Sequence, residues 1–210
     1  MLITASELTA SPGKSGKLVA LVAQMRDVLS TESGRDWSAW AVVTGRPYGT
    51  FMLSTRFDDY ADMIGAQMKV AVSTEWAALA VTAEGVLAQP APTTLSEVIA
   101  VTGEPSAPKQ FTMVTRATID RSALGDAIAW STQVAEYVTK VTGSSTTVCT
   151  SAAGKMFEVA WIGGADTPEE LDKMNAINID AGYLEMIAAA GTNQLFEQSS
   201  SERILLAKLS

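Results

Sequence analysis

SAWAVVTGRPYGTFMLSTR, Ser38 to Arg56, reads as a strand, a tight turn and a second strand. Trp40, Val42 and Val43 supply apolar and β-branched bulk, Gly45 to Gly49 supplies turn chemistry, and Phe51, Met52 and Leu53 resume the apolar run. A similar stretch returns at Ser145 to Trp161, STTVCTSAAGKMFEVAW, so that Gly49 and Gly154 are expected to mark corresponding turns. Each hairpin is preceded by one helical pattern and followed by another.

Working outward from the first hairpin, Met1 to Leu8 alternates weakly, as a strand does. Leu18, Val19, Val22, Met25, Val28 and Leu29 recur at intervals of three and four, which predicts a helix over Ser15 to Ser30 ended by Gly34. Beyond the hairpin, Asp58 or Asp59 caps a helical region that runs to Ala83 as one helix or two. Gly85 to Thr94 reads as a loop and Leu95 to Thr102 as a closing strand. The order then repeats. It predicts a strand over Phe111 to Ile119, a helix over Arg121 to Val141, and strands over Thr146 to Ser151 and Lys155 to Trp161. Ile162 to Ala165 reads as a loop, Thr167-Pro168 as a helix start, and Arg203 to Leu209 as the last strand. The fold class is therefore α+β, with two βαββαβ repeats at residues 1–103 and 109–210 and a Pro-containing linker, Gly103 to Lys109, between them. Apolar residues stand at both parities in residues 40–43 and 51–53, which implies sheets buried on both faces.

The composition bounds the function. An apolar fraction of 47% with 18% charged residues supports a sizeable core, and a net charge of -8 disfavours a polyanion-binding surface. Nucleic acid is not an expected partner. With no histidine in the chain, His-based triads, the HExxH zinc motif and a proximal-His haem ligand are all excluded. Cys149 is the sole cysteine, so no intramolecular disulfide forms, and it is expected to be a buried small residue. No stretch approaches the roughly 18 uninterrupted apolar residues of a membrane span. Without a basic-then-apolar leader pattern, the expectation is a cytoplasmic protein off the membrane.

With two βαββαβ units laid out, the sequence resembles a tandem member of the dimeric α/β-barrel superfamily. Its members include small monooxygenases of antibiotic biosynthesis, NIPSNAP-like proteins, stress-responsive barrels and haem-dependent relatives. The resemblance covers nearly the whole chain as topology, and the hairpins Thr44 to Thr50 and Ser151 to Lys155 carry it. It implies ferredoxin-like repeats whose sheets pack face to face as an α/β-barrel. The absent histidine turns the comparison away from the haem branches and toward the cofactor-independent, monooxygenase-like ones, in which no cofactor is used and a cavity holds an apolar or aromatic ligand.

Several residues could carry such chemistry. Arg46 and Tyr48 bracket Pro47 at the hairpin turn, where a guanidinium fork and a phenol could grip a carboxylate or phenolate; the alternative is a solvated charge and a packing cap. Glu158, set between Phe157 and Val159 in a strand, is the carboxylate to consider as a general base. These three form the candidate catalytic set. Trp40, Arg56, Arg116 and Asn175 form the candidate ligand-binding set. Trp37 and Trp40 stand three apart in an extended segment, so only one of them faces any given cavity. Arg56 and Arg116, charged residues in strands, either sit at edges or make an anion pocket. Asn175 and Asn178 share a helical face. Asp58, Asp59 and Asp62 read as helix-start residues, with no metal site expected. Two functions remain open: a cofactor-independent small-molecule enzyme, or a non-catalytic ligand-binding or self-assembling protein, each compatible with a homodimer.

Overall fold

The computed structural model describes residues 1–104 and 107–209. Pro105 and Ser106 of the expected linker, and the terminal Ser210, lie outside the described residues. The first repeat runs β1 (Leu2–Thr9), α1 (Ser15–Ser33), β2 (Ser38–Thr44), β3 (Thr50–Phe57), α2 (Tyr60–Ala71), α3 (Thr74–Glu84) and β4 (Thr93–Thr102). The second runs β5 (Phe111–Thr118), a 3-10 turn, α4 (Leu124–Thr142), β6 (Thr146–Ala153), β7 (Glu158–Ala165), α5 (Pro168–Ala176), a further 3-10 turn, α6 (Ala181–Ala190), α7 (Thr192–Leu195) and β8 (Glu202–Lys208). In sheet order the strands of the first repeat run β4-β1-β3-β2 and those of the second β8-β5-β7-β6. Each repeat contributes the same permutation of its strands, fourth-first-third-second, which is the ferredoxin-like order. Two compact units result: Met1–Ser96 with the chain end from Ala207 on, and Glu97–Leu206.

In the first unit, β1 and β3 pair antiparallel along their whole length, from Leu2 opposite Phe57 to Thr9 opposite Thr50. Leu8, Ala39 and Leu53 leave one face of this sheet and pack with Leu18, Leu21, Val22, Met25 and Leu29 of α1. That stripe is the three-and-four spacing of the sequence turned inward. Gly34 ends α1 in the left-handed conformation, its N–H donating to Ser30 O at 3.1 Å. Of the two candidate caps for α2 it is Asp59 that accepts, from the Asp62 N–H at 2.9 Å. Ser73 accepts from the Trp76 N–H at 3.1 Å and caps α3, so the helical region is two helices. The larger apolar residues of α2, Tyr60, Ile64 and Met68, are exposed, while Ala66 and Val70 face inward.

In the second unit, β5 pairs with β7 from Phe111 opposite Ala165 to Thr118 opposite Glu158. The expected loop at Ile162 to Ala165 is therefore strand. Its glycines serve close packing rather than a turn: a Cβ on Gly163 would meet Met174 Cε at 2.5 Å, and one on Gly164 would meet Lys109 Cγ at 2.8 Å. Cys149 is fully buried in β6. Thr167 caps α5, accepting from the Glu170 N–H at 3.3 Å with Pro168 in the first turn.

The repeat extends to individual backbone hydrogen bonds. Ala10 donates to Gly49 O at 3.0 Å, and Ile119 donates to Phe157 O at 2.6 Å. Ser11 donates to Val86 O at 2.8 Å as Asp120 does to Leu195 O at 2.9 Å. Ala88 donates to Thr9 O at 2.8 Å as Glu197 does to Thr118 O at 2.9 Å. The counterpart of Gly49 is thus Phe157, and not Gly154 as the turn spacing suggested. Both hold positive φ, 81° at Gly49 and 59° at Phe157. For phenylalanine that conformation is unusual, and it is held by packing against the helix-side core and by Arg121, whose guanidinium lies 5.1 Å from the ring centroid. Gly49→Ala is expected to cost about 1–2 kcal/mol through φ alone, because the Ser15 Oγ that a Cβ would meet can rotate away. Urea unfolding measures it, and Ser15→Ala in the same chain should recover little of the loss.

Candidate functional site

In each unit a cavity lies between the helix-facing side of the sheet and the helices. In the first, Thr4, Ser6 and Leu8 alternate along β1 and point the same way, with Leu53 and Phe57 of β3 beside them. Met25, Leu29 and Ser33 of α1, one turn apart, face them, and Trp37 and Trp76 close the sides. The volume is about 730 Å³. Its polar wall atoms are largely engaged with one another. Ser6 Oγ lies 2.8 Å from Thr93 Oγ1, Thr4 Oγ1 donates to Thr94 O at 3.3 Å, and Trp37 Nε1 donates to Ser33 Oγ at 3.1 Å. Gln67, Glu84 and Gln89 line the cavity and are exposed, so they mark its mouth.

The second cavity, of about 330 Å³, occupies the corresponding place. Met113, Thr115 and Ala117 of β5 face Trp130, Val134 and Val138 of α4. Trp130, Trp161 and Phe196 meet edge to face, with centroids 5.5–6.2 Å apart. Tyr183 and Arg203 complete the wall. Burial pushes the Tyr183 phenol above its ordinary pKa, and the Arg203 charge pulls it the other way. α6 is fixed to α4 by Tyr137, whose hydroxyl donates to Asp180 Oδ1 at 2.6 Å. That bond lowers the Asp180 pKa and raises that of Tyr137. Gly182 permits it, since a Cβ there would meet the Tyr137 hydroxyl at 2.2 Å.

None of the candidate catalytic and ligand-binding residues, Arg46, Tyr48, Glu158, Trp40, Arg56, Arg116 and Asn175, lines either cavity. Arg46 Nε donates to Glu7 Oε2 at 2.9 Å, and Tyr48 is 94% exposed. Trp40 is buried and donates to Ser54 Oγ at 2.9 Å, on the sheet face opposite Ala39 and Ala41. Trp37, its neighbour of opposite facing, is the one in the cavity wall. Arg56 is exposed in β3. The fold does bring two candidates together: Arg116 Nη1 and Glu158 Oε1 are 3.7 Å apart, both side chains below one-fifth exposed. Asn175 is exposed and accepts from Asn178 Nδ2 at 3.1 Å. Asp62 pairs with Arg35 at the start of α2.

No protein-family profile matches the sequence. Among curated proteins there is no match either. Solved structures do match. A candidate monooxygenase from Fusobacterium nucleatum superposes with a TM-score of 0.74 at 8% identity, over 100% of this chain and 92% of that one. An anthrone oxidase-like protein gives 0.67 at 14% identity, over 100% and 91% of the two chains. A candidate monooxygenase from Lactobacillus acidophilus gives 0.62 at 12% identity, over 99% and 93%. What the chain shares with them is the fold. It is the tandem ferredoxin-like fold expected from the sequence pattern.

Proposed function

We propose that the chain binds small apolar molecules and that the cavity of the first unit is its principal site. The observation that carries this reading is that cavity's volume of about 730 Å³ taken with its lining. Ligand pockets occupy roughly 300–1,000 Å³ and are mostly apolar. Here the polar groups of the sheet wall are spent on each other, so the surface offered to a ligand is that of Leu8, Met25, Leu53, Phe57 and two tryptophans. Binding then draws on apolar area removed from water, at roughly 25 cal/mol per Å².

Ala80 lies on the exposed side of α3 and lines the mouth. Ala80→Trp should close the entrance without overpacking the core. The expected result is at least about a tenfold loss of affinity for N-phenyl-1-naphthylamine, followed by its fluorescence, with an unchanged thermal melt. Unchanged affinity in a folded variant overturns the reading.

Cofactor-independent oxidation of an aromatic ligand is a second reading. Its support is the likeness of fold to candidate monooxygenases and the aromatic walls of the second cavity, a warrant from analogy of fold. Oxygen uptake on adding a ligand already shown to bind is its measurement, and binding without uptake leaves ligand binding alone.

A further inference from the structure

An exposed apolar ridge runs along α2. Tyr60, Ile64, Met68 and Val72 follow one another at intervals of four, and each is open to solvent, by 49%, 53%, 62% and 78%. Single exposed apolar residues are ordinary on a protein surface and call for no reason. Among the described residues, α1, α3 and α6 each show one large apolar residue to solvent (Val19, Val81 and Leu184), and the two of α4, Leu124 and Val141, stand at its opposite ends. The ridge on α2 is four in register. The row next to it is small: Ala61 and Gly65 lie one residue on from Tyr60 and Ile64, both are exposed, and a Cβ on Gly65 would meet nothing within 4 Å beyond its own helix. A ridge of large side chains beside a groove of small ones suits two helices packing on each other, since rows at i±4 interdigitate when helices cross at about −50°. Charge is arranged in the same sense. The start of α2 is acidic, with Asp58 and Asp59 exposed and Asp62 paired to Arg35, while Lys69 stands one turn beyond Gly65 on the small row.

We propose that α2 is a docking surface for α2 of a second copy of this chain, in an antiparallel two-fold pair that crosses at Ile64 and Gly65. The ridge of each copy enters the small row of the other, as one self-complementary patch on a two-fold axis allows. Antiparallel crossing brings Lys69 of each copy toward the acidic start of the other and opposes the two helix dipoles. The same charges argue against a lipid surface. Helices that lie on membranes carry their flanking charge as Lys and Arg, whereas Lys69 is the one basic residue of α2. Engaging one helix per copy puts the pair at the low end of specific interfaces, with a dissociation constant of about 10 μM. The pairing needs no ligand in either cavity, so it is tested separately from ligand binding.

Sedimentation equilibrium of the full chain is the test. The wild type is expected to pass from monomer to dimer as its concentration rises, and Ile64→Glu to weaken the dimer by at least about a hundredfold. Gly65→Leu is the sharper variant. It adds apolar surface, so a patch that is only adhesive would associate more tightly. A groove that has been filled should instead bind at least about tenfold more weakly. The space around Gly65 is open and leucine is the better helix former, so the melting temperature of dilute protein should not fall. Gly65→Cys reads the crossing directly. Cys149 is fully buried, so the new thiol is the one that mild oxidation reaches. It should link two copies, because a close crossing brings the two Cα atoms within roughly 7 Å, whereas Lys17→Cys on the exposed side of α1 should not. A wild type still monomeric at about 1 mM overturns the proposal. So does a dimer that Gly65→Leu leaves as strong, or equal cross-linking from the two cysteine positions. A wild type that stays monomeric but sediments with phosphatidylcholine vesicles overturns it as well, and names a lipid surface as what the ridge meets.

Discussion

Leu18→Ala is expected to lower the stability of the first unit by about 2–5 kcal/mol, and Leu29→Ala by distinctly less. Both leucines are on the buried stripe of α1 and belong to one core cluster. Leu18 is fully enclosed, at 0% exposure, so truncation removes contacts on every side and leaves a void that the helix and sheet cannot fill. Leu29 borders the 730 Å³ cavity, so part of its surface already lacks a packing partner. Removing its methyls enlarges a space that exists, and fewer dispersion contacts are lost. Urea titration followed by circular dichroism measures both. Equal losses would mean that the cavity wall around Leu29 closes up in solution, and the site proposed for the first unit would then lose its basis.

Glu158→Leu is the second large effect, with an expected cost of about 2–3 kcal/mol. Arg116 has a side-chain exposure of 17%, its Nε is without a partner among the described residues, and Glu158 is its nearby countercharge at 3.7 Å. Replacing the carboxylate leaves a largely buried guanidinium uncompensated. Adding Arg116→Met should return the stability to within about 1 kcal/mol of wild type, because an apolar pair of similar volume removes the desolvation cost together with the attraction. The cycle separates structure from chemistry. A general base would lose turnover on substitution whatever stands at position 116. A structural ion pair is recovered by its second substitution. Strictly additive losses would show that the two side chains are not coupled.

The architecture was legible because it is written in periodicity. The stripe of Leu18, Val22, Met25 and Leu29 and the alternation of β1 and β5 are local signals, and each fell where the helix and strands are. The boundary at Ile162 to Ala165 was misread because glycine has two uses. In a turn it supplies backbone freedom, but in β7 it makes room for Met174 and Lys109, neighbours distant in sequence. Gly154 misled for a related reason: the residue equivalent to Gly49 is a phenylalanine in the left-handed region, which composition does not favour. The sites were harder. Arg46, Tyr48 and Glu158 stood out because charges and phenols carry chemistry, but the fold gives Arg46 and Glu158 partners of opposite charge and leaves Tyr48 in solvent. The signal that does find the cavities is quieter. Thr4 and Ser6 stand between Leu2 and Leu8 at core-facing parity, and Thr115 does the same between Met113 and Ala117. Small polar residues inside an apolar stripe mark a wall that no neighbouring side chain fills.

The shared backbone bonds of the two repeats have a consequence for titrations. One polypeptide carries two cavities whose ratio is fixed by covalent connection and whose volumes differ by about twofold. A ligand small enough for both should therefore give a two-step isotherm saturating at two molecules per chain. One that fits only the larger cavity should stop at one, so stoichiometry by itself sorts ligands by size before any affinity is compared.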